Sequence, residues 1–441
     1  MIDTKQNRNI ITLDIPNSFV QTPIPETKEK VLMKKWTSSG LFRIFIYRKI
    51  HTICKNKKQQ KKLCVEMKKT LYGMMLSSLY FYRQFQKNIG NIGFEINPHD
   101  VCVANRKVNG TQQTITWHVD NIKVSRKERQ VNMNFYKWCE KIYGSNKNGH
   151  IKIKEGNKHN YLAMTLDYSK KDCVKIDITN YINKMLEEFP YELINNVKCP
   201  WTSQLFNQDC TSKNLGIIYK ETFHTFVMKC MFLAKQARPD ILTGISFLTT
   251  RVKSPKYDDW NKLIRILSNL NGTRKIISKL RADDVQNLTW YVDALFGVHN
   301  DMKSHTGSMF TLGKGGMCND STKQKIITQS STKAELVTID DRISKIIWMK
   351  HFIESQGFNV KVNVIYQDNQ SCIKLAEIGK ESSGKRMGHF YIKYFYITDL
   401  IKRPEVSIQY CASNDMLADF FTTPVIGKKF NYMQDKIMNH A

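Results

Sequence analysis

The sequence predicts a mixed fold, combining α/β and α+β parts, with more than one domain. Three observations carry this reading. Apolar stretches at helical spacing alternate with short β-like runs along all 441 residues. With 41% hydrophobic and 11% aromatic residues, the chain can bury enough apolar surface to offset its ordering entropy. In the last third the pattern becomes strand, strand, long helix, strand, the alternation expected of a packed sheet with helices on it.

Taken in chain order, Ile10 to Leu13 forms an apolar strand that ends on Asp14 and runs into Pro16-Asn17-Ser18-Phe19. Residues 28–69 hold 14 Lys/Arg against Glu29 and Glu66, with the tract Lys55 to Lys62 at their centre. Such a tract is either a solvated loop or a phosphate-contacting one. Leu71, Met75, Leu79, Tyr82 and Phe85 then recur at helical spacing. Short strands follow near Val101 to Ala104 and Thr114 to Val119, with a hairpin whose tip is the polar pair Asp120-Asn121. Further helices are expected at Val131 to Ile142, Tyr181 to Phe189, Phe223 to Ala237 and Trp260 to Leu270. Strands at Thr289 to Val292, Ser308 to Leu312 and Asn363 to Gln367 surround a long helix at Thr332 to Gln356. A boundary beyond Asn271-Gly272 gives domains at 1–275 and 285–425, leaving 426–441 as a tail.

Sixty-eight Lys+Arg against 39 Asp+Glu leave a net charge of +29. That excess favours a polyanionic partner such as nucleic acid, through phosphate contacts and counterion release, and an anionic membrane surface or a ribosomal setting fits the number equally. Eleven cysteines include no C-x-x-C pair and no Cys/His group at zinc-site spacing, so they read as reduced thiols in an intracellular protein. No apolar run approaches the roughly 18 residues a membrane span needs, and the N-terminus lacks the apolar core of a signal peptide. The expected setting is a cytoplasmic particle or the nucleus, with no secretion and no membrane partner.

Two groups of carboxylates suggest chemistry. Asp14 ends one strand and Asp120 sits at the hairpin tip, although Asp-Asn by itself is simply a good turn. In the last third, Asp293 follows Thr289-Trp290-Tyr291-Val292, Glu335 lies near the start of the long helix, Asp368 follows the strand ending at Gln367, and Asp419 lies in Asp415-Met416-Leu417-Ala418-Asp419. Each has a plain explanation: Thr332-Lys333-Ala334-Glu335 reads as a capping box, Asp368-Asn369 as a turn, Asp419 as a solvated helix residue.

Jointly they resemble something more specific. Leu13-Asp14-Ile15-Pro16-Asn17-Ser18-Phe19-Val20-Gln21, Leu71-Tyr72-Gly73-Met74 and Trp117-His118-Val119-Asp120-Asn121 resemble, in order, the reverse transcriptase of copia-type retrotransposons. The likeness continues through Tyr161-Leu162-Ala163-Met164, Phe226-Val227-Met228-Lys229 and Ala237-Arg238-Pro239-Asp240-Ile241. It then passes to the ribonuclease H of the same elements at Tyr291-Val292-Asp293-Ala294, Lys303-Ser304-His305-Thr306-Gly307, Thr322-Lys323-Gln324-Lys325, Ser330 to Leu336, Tyr366-Gln367-Asp368-Asn369 and Leu417-Ala418-Asp419.

The resemblance implies a reverse transcriptase palm/thumb-like domain, with truncated fingers and a connection, followed by a ribonuclease H-like domain. It implies RNA-directed DNA polymerase and ribonuclease H activity by two-metal phosphodiester chemistry with Mg²⁺ or Mn²⁺. RNA, DNA and RNA–DNA hybrid would be partners, and deoxynucleotides substrates. Asp14, Asp120, Asp293, Glu335, Asp368 and Asp419 would be both catalytic and metal-ligating, and Phe19 would lie under the sugar of an incoming nucleotide. The sequence departs from the family at Asn121, where relatives carry a second Asp, and at Leu76, where they generally carry Gln. Gly388 of Gly388-His389-Phe390 stands where relatives have Arg, and Thr423 where many have Lys. The chain also starts just before the first motif, and residues 34–66 match poorly. The polymerase half is therefore expected to be impaired, and the alternative is a non-catalytic nucleic-acid-binding remnant or domesticated scaffold.

Overall fold

The computed structural model describes residues 1–25, 32–36, 50–55, 61–145, 149–379 and 391–440. The centre of the basic tract Lys55 to Lys62 and the whole of Gly388-His389-Phe390 lie outside the described residues. The chain packs as two compact units, residues 9–155 and residues 156–441 together with 1–8.

Residues 1–8 contribute a single turn, α1 (Ile2–Lys5). The unit 9–155 then runs β1 (Asn9–Asp14), α2 (Ser18–Gln21), β2 (Leu32–Trp36), β3 (Ile50–Lys55), β4 (Lys61–Glu66), α3 (Ser77–Gly90), β5 (Glu95–Ile96), β6 (Val103–Val108), β7 (Thr111–His118), β8 (Asn121–Arg126), α4 (Arg129–Tyr143) and β9 (Lys152–Lys154). Its main sheet has the order β5-β6-β7-β8-β1-β9, and β2-β4-β3 form a separate small sheet. Both long helices pack on the main sheet: Phe81, Phe85 and Ile89 of α3 and Phe135, Cys139 and Tyr143 of α4 are buried with Ile11, Leu13, Ile115, Trp117, Ile122 and Val124. These positions recur every three or four residues on the helices and every second residue on the strands, so one apolar face of each element meets the other.

Two local expectations shift here. Helix α3 begins at Ser77, because Leu71 to Leu76 form turns in which Gly73 takes φ +88°. Met75 is left 93% exposed. The hairpin tip is Val119-Asp120, since His118 and Asn121 still pair across the strands. Val119 takes φ +56°, a conformation a β-branched residue rarely adopts.

The other unit opens with a second sheet, β10 (Lys158–Tyr161), β11 (Met164–Asp167) and β12 (Cys173–Asp177), joined later by β13 (Ser278–Ala282) and β16 (Gly313–Lys314). Between them lie α5 (Thr179–Glu187), α6 (Ile217–Gln236), α7 (Leu242–Thr249) and α8 (Tyr257–Gly272). Arg238 and Asp240, just before α7, form a fully buried ion pair closed by two bonds of 2.8 Å. Because β12 and β13 are hydrogen-bonded neighbours, this unit continues without a break through residues 275–285.

A third sheet holds β14 (Asn287–Leu295), β15 (His305–Thr311), β17 (Cys318–Lys323), β18 (Val362–Gln367) and β19 (Ser407–Tyr410), in the order β17-β15-β14-β18-β19. Strands β14, β15 and β17 are antiparallel, whereas β14, β18 and β19 run parallel. Helix α9 (Ser331–Ser355) lays Leu336, Ile339, Ile343 and Ile346 on this sheet against Trp290, Phe310 and Ile365. Helices α10 (Gln370–Ile378) and α11 (Tyr391–Lys402) follow β18, and α12 (Asp419–Thr422) follows β19.

The segment read as a tail is a packed helix, α13 (Gly427–Met438), with Phe430, Met433 and Ile437 buried. Gln434 donates to Asp240 at 2.7 Å, and Trp201 Nε1 donates to the Val425 carbonyl at 2.8 Å. The apolar positions of residues 427–438 were at helical spacing and place the segment in the core rather than in solvent. Among the described residues nine cysteines are free thiols, and no helix is long and apolar enough to cross a membrane.

Candidate functional site

The carboxylates of the last third converge because of strand register. The parallel pairing of β14 with β18 runs from Asn287 opposite Val362 to Tyr291 opposite Tyr366, and two residues further on Asp293 lies beside Asp368. Helix α9 brings Glu335 over the same strand ends. One oxygen from each of Asp293, Glu335 and Asp368 lies within 4.8 Å of the others.

Glu335 does not serve the capping role read from its sequence. The helix starts earlier: Ser330 is the N-cap and its hydroxyl accepts from the Lys333 amide at 3.3 Å. Glu335 consequently falls beyond the third helical position, too far into the helix to reach back to the N-cap amide. Its side chain enters the acid cluster instead, and Glu335 is only 5% exposed.

Electrostatics set this group apart from ordinary surface acids. Burial, with the charges of Asp419 and Asp368, pushes Asp293 up to about 7. Burial, followed by Asp293 and Asp368, pushes Glu335 well above the usual carboxylate range. Nearby acids that repel one another in a desolvated site form a donor set suited to a hard divalent cation, which takes clustered carboxylate oxygens and neutralises the repulsion.

Supporting groups fix the acids in place. Gln367, the last residue of β18, donates to Glu335 Oε2 at 3.2 Å and to the Val292 carbonyl at 3.3 Å. Its Oε1 accepts from the amides of Asp368 at 2.8 Å and Asn369 at 3.0 Å. Thr422 donates its hydroxyl to Asp293 Oδ2, and Ser413 donates to Asp368 Oδ2 at 2.9 Å. Sequence reasoning passed over Gln367, Thr422 and Ser413. A signal existed for Gln367 alone, a long polar side chain closing an apolar strand directly before an acid.

Asp419 stands apart from the triad. Its Oδ2 accepts from Lys429 Nζ at 2.6 Å, although its charge still reaches Asp293. The ion pair became possible because α13 folds back beside α12.

In the unit 9–155, Asp14 and Asp120 come together at the end of the main sheet. Asp14 pairs across strands with Asn121, and the Ile15 amide donates to the Asp120 carbonyl at 3.0 Å. Burial, and then the charge of Asp14, pushes Asp120 above its ordinary value. The Asn121 side-chain amide donates to Asp120 Oδ1 at 3.1 Å. Phe19 sits on α2 against Tyr72, with ring centroids 4.9 Å apart, and edge-on to Phe81 at 6.4 Å. Leu76 is exposed at the start of α3.

The retrovirus-related Pol polyprotein from transposon TNT 1-94 of Nicotiana tabacum is 23% identical over 390 residues, covering 87% of this chain and 28% of that protein. The Pol polyprotein from transposon RE2 of Arabidopsis thaliana is 28% identical over 202 residues, 45% of this chain and 14% of the relative. This chain is a homologue of transposon Pol polyproteins. It spans little more than a quarter of the tobacco relative's length. A Ty5-1 transposon protein of Saccharomyces cerevisiae is 23% identical over 278 residues, 63% of this chain and 87% of the relative. No family model matches. Among solved structures, an RNase H1 isolated from compost has 14% identity and a TM-score of 0.25, over 31% of this chain and 93% of that one. A prototype foamy virus protease–reverse transcriptase has 11% identity and a TM-score of 0.22, over 91% and 43%.

Proposed function

We propose that this chain is a metal-dependent nuclease of the ribonuclease H kind, cutting the RNA strand of an RNA–DNA hybrid with Asp293, Glu335 and Asp368. The convergence of these three acids within 4.8 Å at the ends of adjacent parallel strands carries this reading. The mixed sheet, antiparallel through β17-β15-β14 and parallel through β14-β18-β19, is the arrangement a ribonuclease H-like domain uses, and it supports assigning 285–425 to that domain. Residues 1–275 are assigned to a reverse transcriptase-like portion with palm, thumb and connection parts.

Asp293, Glu335 and Asp368 would hold Mg²⁺ or Mn²⁺, and Asp419 would join them when released from Lys429. Bound divalent cations supply Lewis-acid activation of water and charge neutralisation at the leaving oxygen. The chain's own contribution is positioning. Gln367 holds the Glu335 carboxylate and the backbone turn at Asp368 in one frame, and the Thr422 hydroxyl fixes one oxygen of Asp293. The burial of Asp293 and Glu335 strengthens the charge interactions between them.

The unit 9–155 supports a different outcome. Asn121 brings no charge and occupies Asp120 Oδ1 with its amide hydrogen, so the pair Asp14/Asp120 offers a weaker cation site than a full acid triad would. We assign this half to nucleic-acid binding with DNA synthesis absent or very weak.

The test is cleavage of a labelled RNA–DNA hybrid by purified protein with Mg²⁺ or Mn²⁺, compared with Glu335→Gln. Metal-dependent cutting of the RNA strand is expected from the native chain, and loss of at least about a hundredfold from the variant. Absence of cleavage by folded native protein, or unchanged cleavage in Glu335→Gln, overturns the assignment.

A further inference from the structure

The second sheet, distinct from the sheet that carries Asp293 and Asp368, holds an unusual concentration of like charge. Lys170, Lys171, Lys279, Arg281 and Lys314, with Asp172, Cys173 and Asn439, line a basin of about 270 Å³. Its floor is built by strand register. Arg281 of β13 lies opposite Lys314 of β16, and Lys279 of β13 lies opposite Lys175 of β12. Cross-strand partners share a face, and so do residues two apart on one strand. Lys175, Lys279, Arg281 and Lys314 therefore stand on one face of three adjacent strands, while Ser278, Leu280 and Ala282 point into the core.

This arrangement opposes stability, because like charges directly across a strand pair repel. Compensation is sparse. Arg281 pairs with Asp283 at 3.2 Å, and Asp167 lies within the field of Lys158 and Lys175. Among the described residues no carboxylate forms an ion pair with Lys170, Lys171, Lys279 or Lys314. The β11–β12 turn, in which Asp172 takes φ +57°, adds Lys170 and Lys171 to the lining of the basin. The Cα positions that carry these cations are therefore spaced roughly 5 Å across the strands and about 7 Å along them, a two-dimensional grid rather than a single anion pocket. A grid fits an extended chain of phosphates better than one phosphate.

We propose that this face of β12, β13 and β16 is a track for the phosphodiester backbone of a nucleic acid, separate from the groups that would cut it. The inference rests on the nucleic-acid reading above and adds the surface that would grip the substrate without base preference. Neutralising phosphates there would release counterions and relieve the cross-strand repulsion in the same event.

Binding of a labelled RNA–DNA hybrid is measured in chelator, so that cleavage plays no part, for the full chain, for Lys279→Gln/Arg281→Gln/Lys314→Gln, and for the exposed-lysine control Lys361→Gln/Lys374→Gln/Lys402→Gln. The basin variant is expected to reduce the slope of log affinity against log salt by about 2.7, from about 0.9 per lost phosphate contact. It would then lose about fortyfold less affinity than the native chain between about 50 and 200 mM salt. The control variant should match the native slope. Because the triple substitution removes repulsion, its thermal midpoint should equal or exceed that of the native chain; should it unfold, Lys314→Gln alone is expected to lower the slope by about 0.9. An unchanged slope in the basin variants, or an equal change in the control, overturns the proposal, as does binding to phosphatidylserine vesicles that depends on the basin while hybrid binding does not. Native protein that cuts hybrid but shows no basin effect would leave the nuclease reading standing and remove only this track.

Discussion

The Asn121 side-chain amide donates to Asp120 Oδ1 at 3.1 Å, directly across the strand pair from Asp14. A carboxylate at position 121 would repel Asp120 and add an oxygen for a cation, whereas the amide satisfies Asp120 by itself. DNA synthesis should consequently be undetectable or very weak in the native chain. In Asn121→Asp it should remain well short of full recovery, because the exposed Leu76 supplies no polar contact for a nucleotide and groups acting as one catalytic unit do not add. Primer extension across the native chain, Asn121→Asp, Leu76→Gln and the double variant checks this. Robust extension by the native chain would show the Asp14/Asp120 pair to be sufficient.

Glu335→Gln should make the metal-free protein more stable while abolishing cleavage. Burial and the neighbouring acids raise Glu335 and Asp293, so the unfolded chain releases protons that the folded chain retains. For a carboxyl whose folded value is raised, stability falls as pH climbs from the unfolded value of 3.8 for Asp293 towards its folded value of about 7. Glutamine removes one charge and can still accept from Gln367. The midpoint of thermal unfolding at neutral pH in chelator should rise, by roughly 2–4 °C for each kcal/mol recovered. A lowered midpoint would mean that Glu335 serves the fold.

Lys429→Met should shift cleavage to lower Mg²⁺ concentrations. The pair with Asp419 at 2.6 Å has a partly exposed lysine, so its strength is limited to about 1 kcal/mol and the expected shift to about fivefold or less. A Mg²⁺ titration of cleavage rate reads it directly. No shift would place Asp419 outside the cation site.

The sequence made some of this architecture legible and hid the rest for identifiable reasons. Helices α4, α5, α6, α8 and α9 lie where apolar residues recur at helical spacing, because each has one broad buried face. The start of α3 was hidden because Leu71 and Met75 continue its period by coincidence, while Gly73 breaks the backbone. Carboxylates were visible as residues, but only the parallel register of β14 with β18 brings Asp293 to Asp368. Spacing along the chain carries no such information, since the two strands are separated by β15, β16, β17 and α9. The pairing of Asp419 with Lys429 was equally invisible, because it depends on a terminal helix docking into a core formed by Trp201 and Phe420. The cationic face was hidden for the same reason: Lys279 and Lys314 are unremarkable singly, and become a grid only when β13 stands between β12 and β16.

Acid should destabilise the unit 156–441 through a buried pair of histidines. His299 Nε2 and His305 Nδ1 lie 3.0 Å apart, and His305 Nε2 lies 2.7 Å from Ser321 Oγ, in a site walled by Phe206 and Phe247. Burial, and then Lys323, lowers His299 to about 4; burial and then His299 lower His305 well below its ordinary value. Both rings stay neutral in the folded chain while an unfolded histidine takes a proton below 6.5. Stability conferred by these histidines is therefore complete above that value and declines as pH falls towards 4, by up to about 1.4 kcal/mol per pH unit for each histidine. Denaturant unfolding between pH 7.5 and 4.5 should show the decline, and His299→Gln, which keeps a hydrogen-bonding partner for His305, should flatten it by one histidine's share. An identical pH slope in the variant would mean that other groups govern acid unfolding.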